Sequence, residues 1–124
     1  MQKITLLCFI WFFTTFVELY AHTPADMKLS YNPETRVLTV KIEHAVIDPK
    51  THFIKRVIVK LNEKAIYTHN IKRQDDKYRQ ILEYPILNAK NGDEISVEAY
   101  CNQGGKIQDD TVITIIKDIL PVIK

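Results

Sequence analysis

Hydrophobic and polar residues alternate with a period of two along most of the chain, which sends one row of side chains inward and the other toward water. Met27 to Tyr31 reads as a first strand, stopped by Asn32-Pro33-Glu34-Thr35, where proline presets the backbone of a turn. Leu38, Val40 and Ile42 then share one face of a second strand, opposite Thr39, Lys41 and Glu43. A loop from His44 to His52, broken by Asp48-Pro49, leads to a long strand from Phe53 to Leu61. Asn62-Glu63 makes a tight connection to Ala65–Asn70, and Gln74-Asp75-Asp76-Lys77 reads as a solvated hairpin tip. Ile81 to Ile86 forms a further strand, and Pro85 marks it as an edge or a bulge because proline cannot donate to a ladder. After the Asn91-Gly92-Asp93 turn, Ile95, Val97, Ala99 and Cys101 fall on one inward face, and a last strand from Thr111 to Ile116 is expected. About seven such strands predict an all-β protein, an antiparallel β-sandwich.

The first 21 residues differ in kind from the rest. Lys3 precedes an apolar run from Ile4 to Phe13, and Leu19-Tyr20-Ala21 ends on a small residue. This order of charge, apolar stretch and small residue describes a secretory signal cut after Ala21. A spanning helix needs about 20 apolar residues, more than this run offers, so an uncleaved anchor is the weaker reading. The expectation is a signal peptide over residues 1–21, one domain over 22–124, a periplasmic or secreted location and no membrane association after cleavage. The tail Ile119 to Lys124 is apolar and suits a final edge.

Charge narrows the partners only slightly. Seventeen basic and fifteen acidic residues give a net charge of +2, with both signs interspersed, so no electrostatic footprint for nucleic acid is present. Of two cysteines, Cys8 lies in the leader, which leaves Cys101 as a thiol with no partner for a disulfide framework in the mature chain. With only three glycines there is no phosphate-cradling loop, and no nucleophile elbow occurs. Asp75-Asp76 and Asp109-Asp110 are expected in loops, as solvated charge.

Four histidines and one inward cysteine remain as candidate chemistry. Imidazole and thiolate suit iron, copper and zinc, so His22, His44, His52 and Cys101 could form a mononuclear site. The alternative is that Cys101 only packs as a small core residue and the histidines lie on the surface. His69, in Tyr67-Thr68-His69, reads as a surface strand residue. Cleavage after Ala21 would give His22 an α-amine able to chelate a metal together with its own imidazole.

The chain offers His22-Thr23-Pro24, then His44 with a loop to His52-Phe53-Ile54, then Asn91-Gly92-Asp93, and finally Cys101-Asn102-Gln103-Gly104-Gly105. In order and rough spacing these pieces resemble the iron-binding domain of desulfoferrodoxin and the superoxide reductases, an immunoglobulin-like β-sandwich. The resemblance implies iron held by equatorial histidines, here His22, His44 and His52, and by an axial cysteine, here Cys101. Gly104 stands where the family has its last histidine, Ala21 replaces a lysine, and the loop between His44 and His52 is longer than usual. The implied activity is one-electron reduction of superoxide, with Lys50 as the proton source and a periplasmic electron donor. Copper is the alternative metal. A more distant similarity is to the sulfur-carrier partner of the thiosulfate-oxidation system, which shares the sandwich and a His-Phe-Ile strand. The competing class is a non-catalytic periplasmic binding module, either a metal carrier or a protein-interaction sandwich.

Overall fold

A computed structural model of the protein describes residues 23–115. Among them are seven strands and no helix: β1 (Asp26–Asn32), β2 (Val37–Glu43), β3 (Ile54–Leu61), β4 (Lys64–Asn70), β5 (Arg79–Pro85), β6 (Glu94–Cys101) and β7 (Lys106–Val112). They form two antiparallel sheets, β1-β2-β5 and β4-β3-β6-β7, stacked as the expected sandwich. The expected signal peptide over residues 1–21, His22 and the tail from Ile119 onward lie outside the described residues.

The core forms where the inward rows of the sheets meet. Leu38, Val40 and Ile42 of β2 are fully buried against Val57 and Val59 of β3 and Ile95, Val97 and Ala99 of β6. Burying each such aliphatic side chain is worth about 1.5–3 kcal/mol, and this holds the sheets together without a disulfide. Tyr84 reaches in from β5 at 5% exposure, and its hydroxyl pKa is pushed up to about 12 by burial. Pro85 ends β5, which is an edge strand, so no sheet hydrogen bond is lost there.

Three expectations need correction. The last strand is β7, Lys106–Val112, five residues ahead of the Thr111 start expected from the apolar run. The Asn102–Gly105 turn is tight, with Cys101 N donating to Gly105 O at 3.1 Å, so pairing resumes at once with Tyr100 opposite Lys106. Asp109 and Asp110 therefore lie within β7 and not in a loop; charges on an edge strand discourage pairing with another chain. The outward row of β6 is not all toward water either. Ser96 and Glu98 are 7% and 9% exposed, because β6 is flanked by β3 and β7, whose long side chains lean across it.

One irregularity bears on the site. Ile54 and Val57 are both fully buried although they are three residues apart, an interval that strict alternation forbids. The β3–β6 register shifts between Ile54 and Arg56, so Lys55 is the extra residue of a bulge. The bulge lets Ile54 pair with Cys101 while Val57 keeps its place in the core.

Candidate metal centre

His44 follows directly on β2, His52 stands just before β3, and Cys101 closes β6. Antiparallel order brings these three strand ends to the same end of the sandwich. The side chains are buried, at 3%, 7% and 1% exposure, and one ligand atom from each lies within 4.8 Å of the others. His52 Nε2 and Cys101 Sγ are hydrogen-bonded at 3.1 Å. The His44 and His52 rings meet edge to face, their centroids 4.7 Å apart and their planes at 88°.

Local hydrogen bonds hold each member in place. Asp48 starts the turn into His52: its carboxylate accepts from Lys50 N and its carbonyl from His52 N, both at 2.9 Å. Asn102 ties that turn to the cysteine. Its Nδ2 donates to Thr51 O, its Oδ1 accepts from Phe53 N, and its own N donates to Phe53 O, at 2.9, 2.9 and 3.0 Å. Gln103 N points at Cys101 Sγ from 3.4 Å. Burial pushes the Cys101 thiol above its ordinary pKa, and the Gln103 N–H and the charge of Lys55 offset only part of that. A cation bound at the sulfur would displace the thiol proton.

Gln74 is the residue the sequence reading missed. Expected in a solvated tip, it is fully buried; its Oε1 is 2.7 Å from His44 Nδ1 and its Nε2 donates to His44 O at 2.8 Å. The available signal was that Gln74 is the one uncharged residue between Arg73 and Asp75-Asp76-Lys77. Its charged neighbours do behave as solvated turn residues, and Asp76 caps Tyr78 N and Arg79 N, which lowers its pKa.

The other candidates separate cleanly. His69 is exposed on β4, where Nδ1 lies 2.9 Å from the Tyr84 hydroxyl, and it is not part of the cluster. Lys50 is exposed, and the lysine whose charge acts on Cys101 is Lys55. Gly104 has φ +100°, a conformation that side chains rarely adopt, so the turn itself is shaped around glycine where the resembled family has histidine. His22 lies outside the described residues, but Thr23 is packed hard against the turn. A Cβ on Gly105 would sit 2.6 Å from Thr23 Oγ1 and 2.9 Å from its Cα. Pro24 is buried, and Ala25 N donates to Glu43 O at 2.8 Å. The start of the described chain is therefore fastened between β2 and the cysteine turn.

A cleft of about 510 Å³ opens over His52, walled by Val46, Ile47, Asp48 and Gln103, with Ile47 99% exposed at its rim. A larger cavity, about 700 Å³, lies at the other end of β2 among Tyr31, Arg36, Leu87 and Lys90 and contains none of the cluster. No family model matches this chain, and none of the curated proteins does.

Proposed function

We propose that this chain is an exported metalloprotein of the desulfoferrodoxin kind, holding one metal ion on His44, His52 and Cys101 with His22 as a further ligand. The observation that carries this reading is the convergence of two imidazoles and a thiol, all buried, to within 4.8 Å. Imidazole nitrogen and cysteine sulfur are the donors that zinc, copper and iron take, and three of them this close together could share one ion. The anchoring of Thr23 on Gly105 supports His22 as a participant, because residue 22 is one peptide bond from a residue in contact with the cysteine turn.

The donor set fits the metals that the sequence reading names. Two histidines and a cysteine suit copper or iron, and the resemblance favours iron. Such an ion would supply one-electron redox chemistry, with electrons from a periplasmic donor. The protein's own part is to provide the Cys101 sulfur as an electron-rich donor, to hold the rings of His44 and His52, and to keep water away from the sulfur. Lys50 is the proposed proton source for superoxide reduction at this site. Substituting it should slow turnover and leave metal content intact; an unchanged rate would remove it from the mechanism.

A second reading, a metal carrier without turnover, is favoured by Gly104. A site one histidine short of the resembled set, in a turn built on glycine geometry, suits metal exchange. Catalysis of superoxide loss with a supplied reductant marks the enzyme, and transfer of metal to an acceptor chelator marks the carrier.

The deciding experiment is metal content by mass spectrometry on protein secreted through its own leader, with its N-terminus sequenced. Stoichiometric iron or copper is expected in the wild type, and loss of it in Cys101→Ser and in His52→Ala. Protein that is folded yet metal-free under both reducing and oxidising conditions would overturn the proposal.

A further inference from the structure

Gln74 makes contacts that a loop residue does not need for solubility. It is fully buried, and its amide makes three hydrogen bonds: Nε2 to His44 O and to Asp76 O, both at 2.8 Å, and Oε1 to His44 Nδ1 at 2.7 Å. These partners fix the amide's orientation. Carbonyl oxygens only accept, so the atom between them must be the NH₂ group, which spends one hydrogen on each. Oε1 is then left facing the histidine, and an amide oxygen also only accepts. The ring nitrogen at 2.7 Å must therefore be the donor.

We infer that Gln74 is a positioning residue that locks His44 in the Nδ1–H tautomer and so presents Nε2 of that ring as its metal-binding atom. The inference rests on the metal reading above for its second half only. A neutral imidazole has one N–H, so a proton fixed on Nδ1 puts the ring's lone pair on Nε2. The grip is double, on the carbonyl of His44 and on its ring, which resists both sliding of the backbone and rotation of the side chain. The same residue also joins the two histidine segments, since Gln74 N donates to Pro49 O at 3.0 Å in the loop leading to His52. Metal-binding histidines commonly depend on such an outer partner at the opposite nitrogen, and its loss typically costs about 10–100-fold in metal affinity.

The test uses the wild-type protein with Gln74→Leu and Gln74→Glu. Leu has no acceptor; Glu keeps an acceptor for Nδ1–H while giving up the amide's two donors. In metal-free wild type, nitrogen-15 spectra of His44 at a pH where the ring is neutral should show Nδ1 protonated and Nε2 bare. Titration with cobalt(II) should show an affinity about 10–100-fold lower for Gln74→Leu, with a smaller loss for Gln74→Glu, which keeps the acceptor for Nδ1–H but not the grip on the carbonyl. A proton on Nε2 in the wild type overturns the inference whatever the variants do. Equal losses in the two variants also overturn it, since they would make Gln74 a loop staple alone. Should the wild type bind no cobalt, iron or copper, the metal reading falls, and the tautomer spectrum still decides the role of Gln74.

Discussion

Gly105 and Gly92 have nearly the same backbone angle, φ +95° and +89°, but very different surroundings. A Cβ at Gly92 meets nothing within 4 Å, whereas one at Gly105 runs into the backbone and side chain of Thr23. Alanine at Gly92 should therefore cost only the left-handed strain, about 1–2 kcal/mol. Alanine at Gly105 carries the same strain and must also push Thr23 away. If His22 is a ligand, that displacement reaches the metal. The expected outcome is that Gly105→Ala weakens metal affinity at least tenfold while Gly92→Ala leaves it unchanged, as read by chelator competition on both variants. Equal affinities would detach the chain start from the centre. A companion test, also at residue scale, adds one residue before His22: loss of affinity would assign the α-amine as a donor, and retention would exclude it.

Among the elements, β6 carries both the inward cysteine and a buried carboxylate on its other face. Burial alone would raise the pKa of Glu98, but the Lys60 ammonium at 3.2 Å, the Tyr100 hydroxyl at 3.0 Å and the charge of Lys106 together bring it below its ordinary 4.5. A depressed carboxylate contributes stability that is fully present above about pH 4.5 and is lost as pH falls through the lower folded value. Both lysines are partly exposed, so solvent screening holds the contribution to about 1 kcal/mol. Glu98→Gln should lower the denaturation midpoint at pH 7 and flatten its fall below pH 4.5; a variant with the wild-type acid limb would show that other carboxylates govern it. Glu98 also shows where alternation stops being informative. Period two correctly gave the inward row Ile95-Val97-Ala99-Cys101, but it cannot tell a water-facing row from one roofed by long neighbours. That depends on β6 lying between β3 and β7, a fact of pairing and not of local sequence. The late placement of the last strand has a similar cause. The expected strand from Thr111 to Ile116 follows the β-branched residues there, while the actual β7 begins where the Gly104-Gly105 turn delivers the chain, among charged residues typical of an edge. His52 and Cys101 were legible because each adjoins a strong strand pattern. Gln74 was not, since its one local sign, the lack of charge, does not announce that the amide will be buried beneath a histidine from thirty residues earlier.

At the scale of the whole molecule, the cluster lies across the seam of the sandwich. His44 extends from β2 in the three-stranded sheet, whereas His52 leads into β3 and Cys101 ends β6 in the four-stranded one. An ion held by all three therefore bridges the sheets at an end where Asn102 and Gln74 otherwise provide the polar contacts. Separation of the sheets pulls the donors apart, so the folded state binds far better than the unfolded chain, and binding must stabilise the fold. At a free metal concentration of 100 times Kd the gain is about 2.7 kcal/mol. For a domain of this size each kcal/mol moves Tm by about 4–8 °C, so a rise of roughly 10–20 °C is expected on metal loading and its reversal on chelation. Cys101→Ser is the informative control because it keeps the volume of the site while removing the thiolate. Its metal-free Tm should lie close to that of the metal-free wild type, with the metal-dependent increment gone. If the wild type and Cys101→Ser gained equally, the ion would be stabilising the protein from some other place, and the seam would be held by packing alone.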